Sequence, residues 1–193
     1  EKTSVDLIDK LAAKGLYLQQ RMGQTETSTL CSMPGKDALR KKGSIGLPVF
    51  YADIKIVDEN GKECPAGERG EIVVKGPTLM SGYWNKPEET AKTIRNGVLH
   101  TGDVAYKDKD GFVFIVDRMK DMYRSGGENV YPAEVERLLL AHPKISQVAI
   151  IGVPDEKWTE VGKAFILPKE GQSISKEEIL EFLRGKVAKF KIP

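Results

Sequence analysis

The chain has 193 residues, 40% of them hydrophobic and 30% charged, which is typical of one sizeable globular domain or two small ones. Thirty Lys and Arg residues against 28 Asp and Glu leave a formal net charge of only +2, so charge gives no reason to expect nucleic acid or an anionic membrane as a partner. No apolar run is long enough to span a membrane, and Cys31 and Cys64 form neither a disulfide framework nor a CxxC metal motif, which favours a reducing, cytoplasmic location.

The first part of the chain is predicted to consist mainly of β-strands. Apolar residues between Val5 and Ala12 recur with the period of a helix, and this pattern stops at Gly15. Further along, period-two alternation favours strands, and Asn60-Gly61 is typical of a hairpin turn. The predicted elements are strands at 16–20, 52–57, 71–74, 98–106 and 112–116, a polar loop through residue 43, a short helix at 87–94 and a turn at 107–111.

The remaining residues predict a smaller unit that mixes helices and strands. Its elements are helix 133–141, strand 147–152, strand 163–168 and helix 176–188, the last with Ser173 and Ser175 as caps. The fold class expected for the chain is therefore α+β. The boundary is placed near Lys120, so that residues 1–118 form a β-rich domain and residues 119–193 a small α+β domain.

The stretch from Arg118 to Pro132 is the most informative in the chain, because it joins clustered charge to two glycines and a helix start. Gly126 and Gly127 admit backbone angles that other residues resist. Asn129 and Pro132 are good entry residues for a helix that begins near residue 133. The pattern predicts a mobile segment that faces a ligand.

Two charged residues of this stretch suggest different roles. The guanidinium of Arg118 can donate in a fork to ribose or phosphate oxygens. Lys120 and Asp121 stand where a reversal of chain direction would need a polar, solvated pivot. A charged surface turn remains the alternative interpretation, since charge beside glycine is common in loops.

A second candidate site is the segment Gly23-Gln24-Thr25-Glu26. The glycine gives access to the backbone, the Thr25 hydroxyl can bond phosphate oxygens, and the Glu26 carboxylate can help to hold a hard cation such as Mg²⁺. The segment is not a P-loop, because the Gly-Lys-Ser/Thr ending is absent. Taken alone, it is also typical of a turn followed by a helix cap.

A third candidate lies at the end of a predicted strand, in His100-Thr101-Gly102-Asp103. A fixed carboxylate at Asp103 could accept hydrogen bonds from the two vicinal hydroxyls of a ribose. Strand-end turn chemistry is the alternative. His100 has no partner visible in the sequence and is interpreted as a packed or solvent-facing residue.

Three aromatic residues are interpreted as packing groups rather than as site residues. Tyr83 and Trp84 are expected to fill the space beside the strand that is bracketed by Gly70 and Gly76. Trp158 is expected to pack in a core, and a partly exposed lid residue is the alternative.

Together these segments resemble the adenylate-forming superfamily, which comprises acyl-CoA synthetases, nonribosomal adenylation domains and luciferases. Within it the chain looks most like acyl-CoA synthetases of the fatty or aromatic acid type. The resemblance rests on six motifs, namely Gly23-Gln24-Thr25-Glu26, Gly43-Ser44-Ile45-Gly46-Leu47-Pro48, Gly70 to Gly76, Gly82-Tyr83-Trp84, Thr101-Gly102-Asp103 and the run from Asp117 to Glu136.

The resemblance implies a reaction in two halves. A carboxylic acid and ATP give an acyl-adenylate and pyrophosphate, and coenzyme A then takes the acyl group as a thioester. The implied residues are Thr25 and Glu26 for phosphate and Mg²⁺, with Glu26 as metal ligand, and Gly23 and Gln24 beside them for cofactor binding and contact with the acyl group. Asp103 and Arg118 are implied for the ribose of ATP or AMP, Lys120 for the hinge, and Ser125, Gly126 and Gly127 for the pantetheine path.

The chain departs from the family at Met22, where an aromatic residue beside the adenine is common and where methionine can pack but cannot stack. The resemblance also implies a phosphate loop before Glu1 and an adenylating lysine after Pro193. We therefore expect a C-terminal fragment that does not adenylate alone, with residues 1–118 as the last part of the large AMP-binding domain and residues 119–193 as most of the small, mobile C-terminal domain. The alternatives are a non-catalytic nucleotide- or CoA-binding module and an adenylation enzyme that loads a carrier protein; the acid and the oligomeric state cannot be inferred.

Overall fold

The computed structural model describes residues 5–193, except the side chains of Asp6 and Lys36. The chain divides into two compact units, Glu1–Ile115 and Val116–Pro193. This division lies three residues before the predicted boundary between 118 and 119. Mixed α and β structure with antiparallel sheets confirms the predicted fold class, whereas the correspondence of the two units to domains of a larger enzyme stays a prediction. No helix within residues 5–193 is long and apolar enough to cross a membrane.

Among its described residues, from 5 onwards, the first unit contains two antiparallel sheets, one of order β1-β2-β3 and one of order β4-β5-β7-β6 with β8 paired to β7. Its elements are α1 (Val5–Ala12), β1 (Arg21–Gln24), β2 (Ser28–Ser32), β3 (Leu47–Pro48), β4 (Asp53–Val57), β5 (Gly70–Lys75), α2 (Pro87–Thr93), β6 (Ile94–Arg95), β7 (Val98–Lys107) and β8 (Val113–Arg118), the last of which runs into the second unit.

The two sheets of the first unit share one hydrophobic core. Alternation along β4 buries Ile54 and Ile56, and β2 contributes Leu30 and Cys31 to the same cluster. Burial raises the pKa of the Cys31 thiol to about 12, so this cysteine acts as a core residue and not as a nucleophile. The shared core fixes the β1–β2 hairpin relative to the β4–β7 sheet.

The second unit has one four-stranded antiparallel sheet of order β10-β9-β12-β11. Its elements are β9 (Tyr123–Ser125), β10 (Glu128–Val130), α3 (Pro132–Leu140), β11 (Ile145–Asp155), β12 (Thr159–Pro168) and α4 (Lys176–Leu183). Its core joins both helices to the sheet: Val135 and Leu139 from α3 and Leu183 from α4 pack with Ile145 and Ile150 of β11.

Three predictions in the first unit were wrong. Residues 16–20 form no strand; the first strand begins at Arg21, where pairing with Ser32 starts. Strand β2 lies inside the segment that was predicted as a polar loop. The prediction failed because Ser28, Thr29 and Ser32 make this stretch polar on average, although Leu30 and Cys31 between them are apolar and buried. Trp84, expected to pack, is instead 94% exposed.

Helix termini in the second unit also differ from the prediction. Asn129 lies in β10 and does not cap α3; instead Asp117 Oδ2 accepts a hydrogen bond from the Ala133 amide at 2.8 Å. Ser175 does cap α4, accepting from the Glu178 amide at 3.2 Å. That helix ends at Leu183 rather than at 188, because the backbone of Arg184 leaves the helical region.

The double glycine forms the turn of a tight hairpin. Ser125 pairs with Glu128, so that only Gly126 and Gly127 connect β9 to β10, with φ angles of +59° and +87°. Positive φ at both central residues is typical of a two-residue hairpin and favours glycine. Trp158 lies against this turn: its carbonyl accepts from the Gly126 amide at 2.9 Å, and its side chain is 43% exposed rather than buried in a core.

We expect Gly126→Ala to destabilise the protein more than Gly127→Ala. Each substitution places a side chain at positive φ, at a cost of roughly 1–2 kcal/mol. A Cβ at Gly126 would lie 2.7 Å from Trp158 Cε3, whereas a Cβ at Gly127 meets no atom within 4 Å. Urea unfolding of both variants and the wild type measures the difference; equal losses would contradict the contact with Trp158.

Candidate functional site

The segment 23–26 lies at the tip of the β1–β2 hairpin. Gln24 pairs with Ser28, and the three residues between them form the turn, in which the Thr27 amide donates to the Gln24 carbonyl at 3.2 Å. A Cβ at Gly23 would overlap the carbonyl of Ser28, so this position requires glycine. The alternative of a turn followed by a helix cap is therefore wrong, because β2 follows the turn. Thr25 is exposed at the tip.

The structure brings together Gln24 and Asp103, two of the predicted site residues. Gln24 Nε2 donates to Asp103 Oδ2 at 2.7 Å, although the two residues are 79 positions apart. Asp103 is only 4% exposed. Its backbone is fixed as well, because its amide donates to Thr101 Oγ1 at 3.1 Å and that hydroxyl donates to the carbonyl of Ile72 at 2.9 Å. The Asp103 carboxylate is thus held in one place on β7.

Glu26 is held by a segment that lies 54 to 57 residues further along the chain. Its carbonyl accepts from the Met80 amide at 2.8 Å, and its Oε1 accepts from the Tyr83 hydroxyl at 2.9 Å. Burial, followed by the hydrogen bond to Glu26, raises the pKa of Tyr83. The hydroxyl is therefore protonated and donates at neutral pH.

The donor set at the hairpin tip fits Mg²⁺ bound together with a nucleotide. Within residues 5–193 no group of three or more His, Cys, Asp or Glu side chains is placed to hold a metal ion. Mg²⁺ in phosphate-transfer sites needs only one or two carboxylates, with phosphate oxygens and water as the other ligands. Glu26 supplies one carboxylate and Thr25 a hydroxyl beside it, both of them hard oxygen donors.

His100 has a partner that the sequence did not reveal. Its Nδ1 lies 2.7 Å from Glu71 Oε2, and Glu71 Oε1 accepts from the Gly102 amide at 3.0 Å. The two residues meet because β5 and β7 are adjacent strands. His100 to Asp103 lie within β7 and not at the end of a strand, so Glu71 fixes both the ring and the strand backbone at Gly102, and His100 serves as a support of this part of β7.

The other predicted site residues belong to the second unit. Arg118 is exposed, and its amide donates to Asp117 Oδ1 at 2.8 Å. Lys120 lies in a single 3₁₀ turn, Met119–Asp121. Ser125, Gly126 and Gly127 form the β9–β10 hairpin, where Ser125 is 2% exposed and the two glycines are open to solvent.

Lys120 borders a cavity of about 300 Å³ in the second unit. The same cavity is lined by Asp117, Asp121, Glu136 and Glu160. Glu136 Oε1 accepts from the Ile150 amide at 2.7 Å. Burial is the main cause that raises the pKa of Glu136, and the charges of Asp117 and Asp121 add to it. This acidic wall beside Lys120 was not predicted, because its members come from three separate stretches of the chain, namely residues 117–121, α3 and β12.

Comparison with known proteins identifies two sequence patterns in the chain. The pattern of AMP-binding enzymes matches residues 1–84, and that of the AMP-binding enzyme C-terminal domain matches residues 134–193. Feruloyl-CoA synthase from Amycolatopsis sp is 45% identical over 97% of this chain. A 2-succinylbenzoate–CoA ligase from Bacillus cereus is 43% identical over the same share. The chain spans about 38% of the length of these curated relatives.

Solved structures match the whole chain. The o-succinylbenzoate CoA synthetase of Bacillus subtilis, in complex with its acyl-adenylate intermediate, superposes with a TM-score of 0.92 and 37% identity, covering 100% of this chain and 40% of that one. The same synthetase in complex with ATP and a magnesium ion gives a TM-score of 0.90 at 36% identity, with the same coverage.

We expect Glu136→Gln to stabilise the protein at pH 7. The pKa of Glu136 in the folded protein is raised above its ordinary value of 4.5. The contribution of Glu136 to the free energy of unfolding is therefore fully present below pH 4.5 and is lost as the pH rises through the folded-state pKa. Glutamine stays neutral and retains the acceptor for Ile150, so its advantage over the wild type should disappear at pH 4. Urea unfolding at both pH values measures it.

Glu177→Gln provides a control of opposite sign. Hydrogen bonds from its own backbone amide and from Ser175 lower the pKa of Glu177, so this substitution should destabilise at pH 7 and have little effect at low pH. If the Glu136→Gln variant is less stable than the wild type at pH 7, burial does not disfavour the ionised form of Glu136 and the prediction is wrong.

Proposed function

Because the chain belongs to the AMP-binding enzyme family, we propose that it forms part of an ATP-dependent ligase that joins a carboxylic acid to coenzyme A. The carboxylate attacks the α-phosphorus of ATP, which gives the acyl-adenylate and releases pyrophosphate. The thiol of coenzyme A then attacks the acyl carbon and AMP leaves. The observation that supports this most strongly is the match of the whole chain, at 37% identity, to a synthetase in complex with an acyl-adenylate.

In the first unit, we assign Asp103 to the ribose hydroxyls of the nucleotide. A carboxylate fixed by the Gln24 amide and by its own backbone has little freedom to lose when it accepts the two hydroxyls, which favours binding. Thr25 and Glu26 are assigned to the phosphates and Mg²⁺, with Gly23 and Gln24 shaping the hairpin that carries them. Bound Mg²⁺ would neutralise charge on the phosphates.

In the second unit, we assign Arg118 to the ribose, Lys120 to a pivot, and Ser125 to Gly127 to the pantetheine path. The exposed guanidinium of Arg118 can donate two parallel hydrogen bonds to a sugar or phosphate. Two adjacent glycines without side chains allow a narrow ligand to approach the backbone of the hairpin closely. Such a pivot would let one site serve both half-reactions in turn.

The acid is proposed to be a fatty or aromatic carboxylic acid. The names of the matched relatives, feruloyl-CoA synthase and 2-succinylbenzoate–CoA ligase, favour aromatic acids within this class. A cytoplasmic location belongs to the proposal and is supported by two cysteines that are both free thiols.

The function is tested by pyrophosphate release from the complete protein that carries this chain, with ATP, Mg²⁺ and a panel that includes ferulate, 2-succinylbenzoate and fatty acids. We expect carboxylate-dependent release of pyrophosphate, and formation of a thioester when coenzyme A is added.

Asp103→Asn should lower the affinity for AMP at least tenfold, because a neutral amide accepts hydrogen bonds from the ribose hydroxyls less strongly than a carboxylate does. Binding of AMP and coenzyme A without turnover would indicate a binding module, and an adenylate that coenzyme A does not consume would indicate a carrier-protein acceptor; either result contradicts the proposal.

The pivot is tested by Lys120→Pro in the same protein. Proline fixes φ and restricts the preceding residue, so rotation about this position should become harder. We expect thioester formation to slow at least tenfold more than ATP–pyrophosphate exchange. Lys120→Ala, which keeps the backbone free, is the control. Equal slowing of both half-reactions by the proline variant would place the pivot elsewhere.

A further inference from the structure

Tyr83 and Glu26 form a contact between two segments that are far apart in the sequence. The Tyr83 hydroxyl donates to Glu26 Oε1 at 2.9 Å across 57 positions of sequence. The other oxygen, Oε2, has no hydrogen-bond partner among the residues whose side chains the structure describes. A hydroxyl that holds one oxygen of a carboxylate restricts its rotation and leaves the second oxygen available to a ligand.

Tyr83 is itself fixed by the start of α2. Its amide donates to Thr90 Oγ1 at 2.9 Å, and that hydroxyl donates to the Lys86 carbonyl at 2.9 Å. The Lys86 amide donates to the Tyr83 carbonyl at 3.2 Å. These bonds enclose residues 83–90 in one short hydrogen-bonded unit, so Tyr83 is presented from a rigid element rather than from a free loop.

The same segment holds the backbone of Glu26. The Met80 amide donates to the Glu26 carbonyl at 2.8 Å, so residues 80 and 83 bind the glutamate at its main chain and at its side chain. Two attachment points fix both the position and the direction of a side chain. A single hydrogen bond would fix only one of them.

Helix α2 contributes little to the hydrophobic core. None of its residues is buried, and Trp84, next to Tyr83, is 94% exposed. Residues 80–90 meet the candidate site through the hydrogen bonds from Met80 and Tyr83 to Glu26. Helix α2 supports this contact through Thr90, which accepts from the Tyr83 amide.

We propose that Tyr83 is a positioning residue, which holds the Glu26 carboxylate so that Oε2 faces the Mg²⁺ bound with ATP. The inference rests on the proposed function, because it takes Glu26 as the ligand of that metal. Tyr83 acts through Glu26 and contacts no reacting atom. A hydrogen bond that orients a metal ligand raises the affinity for the metal without adding a ligand.

The test is Tyr83→Phe in the complete protein, which removes the hydroxyl and keeps the ring. Tyr106→Phe is the matched control, because Tyr106 lies in the same unit and stacks on Phe114 at 5.0 Å without contacting Glu26. Binding of Mn²⁺ to the protein–ATP complex is followed by electron paramagnetic resonance, and binding of AMP without metal is followed by calorimetry. In the active enzyme, pyrophosphate release is titrated with Mg²⁺.

We expect Tyr83→Phe to weaken Mn²⁺ binding at least fivefold and to raise the half-saturating Mg²⁺ concentration by the same factor. Binding of AMP without metal should remain unchanged, excess Mg²⁺ should restore the rate, and Tyr106→Phe should behave as the wild type. Unchanged metal binding, or equal loss of AMP and metal binding, overturns the inference. Absence of pyrophosphate release in the wild type overturns the proposed function alone, because the Mn²⁺ measurement still decides the role of Tyr83.

Discussion

The hydrogen bond between Gln24 and Asp103 is the contact on which the candidate site of the first unit depends. A carboxylate that is 4% exposed is costly to bury unless donors satisfy its oxygens. Gln24 reaches Asp103 only because the β1–β2–β3 sheet and the β4–β7 sheet share one core. Packing of apolar residues such as Leu30 and Ile72 thus determines where a polar side chain meets its partner. The hydrophobic core thus fixes the positions of the strands, and the strands fix the positions of the site residues.

Other carboxylates organise the structure in the same way. Glu71 divides its two oxygens between the His100 ring and the Gly102 amide, and so fixes the part of β7 that carries Asp103. Asp117 divides its oxygens between the amides of Arg118 and Ala133. Each of these residues accepts at least one backbone amide, a bond that fixes a chain segment as well as a side chain. A hydrogen bond thus fixes the backbone next to each of two candidate site residues: at Gly102 beside Asp103, and at Asp117 beside Arg118.

The sequence predicted those features of the fold that arise from local pattern. Strands β4 and β5 and helix α3 follow from alternation and period, whereas β2 was hidden because Ser28, Thr29 and Ser32 surround a buried pair. Asn129 has the chemistry of a cap, yet Asp117 satisfies the helix from outside it, since the choice of partner is made by tertiary packing. The same limit applies to the site. Residue types predicted Glu26 and Asp103 as candidates, but no local signal predicts that Tyr83 and Gln24 are their partners.

The position of the proposed pivot places a condition on these contacts. Asp117 is tied to the start of α3, and the Val116 carbonyl accepts from Arg137 Nη2 at 3.3 Å, so both residues belong to the second unit in this arrangement. A rotation about Lys120 would leave residues 116 and 117 behind and would therefore break both hydrogen bonds. The Ala133 amide would then need another acceptor, because an unsatisfied helix start costs roughly 1 kcal/mol. If the pivot is Lys120, the hydrogen bond from the Ala133 amide to Asp117 can therefore exist in the arrangement of only one of the two half-reactions. A pivot between Ile115 and Val116 would preserve this hydrogen bond in both arrangements.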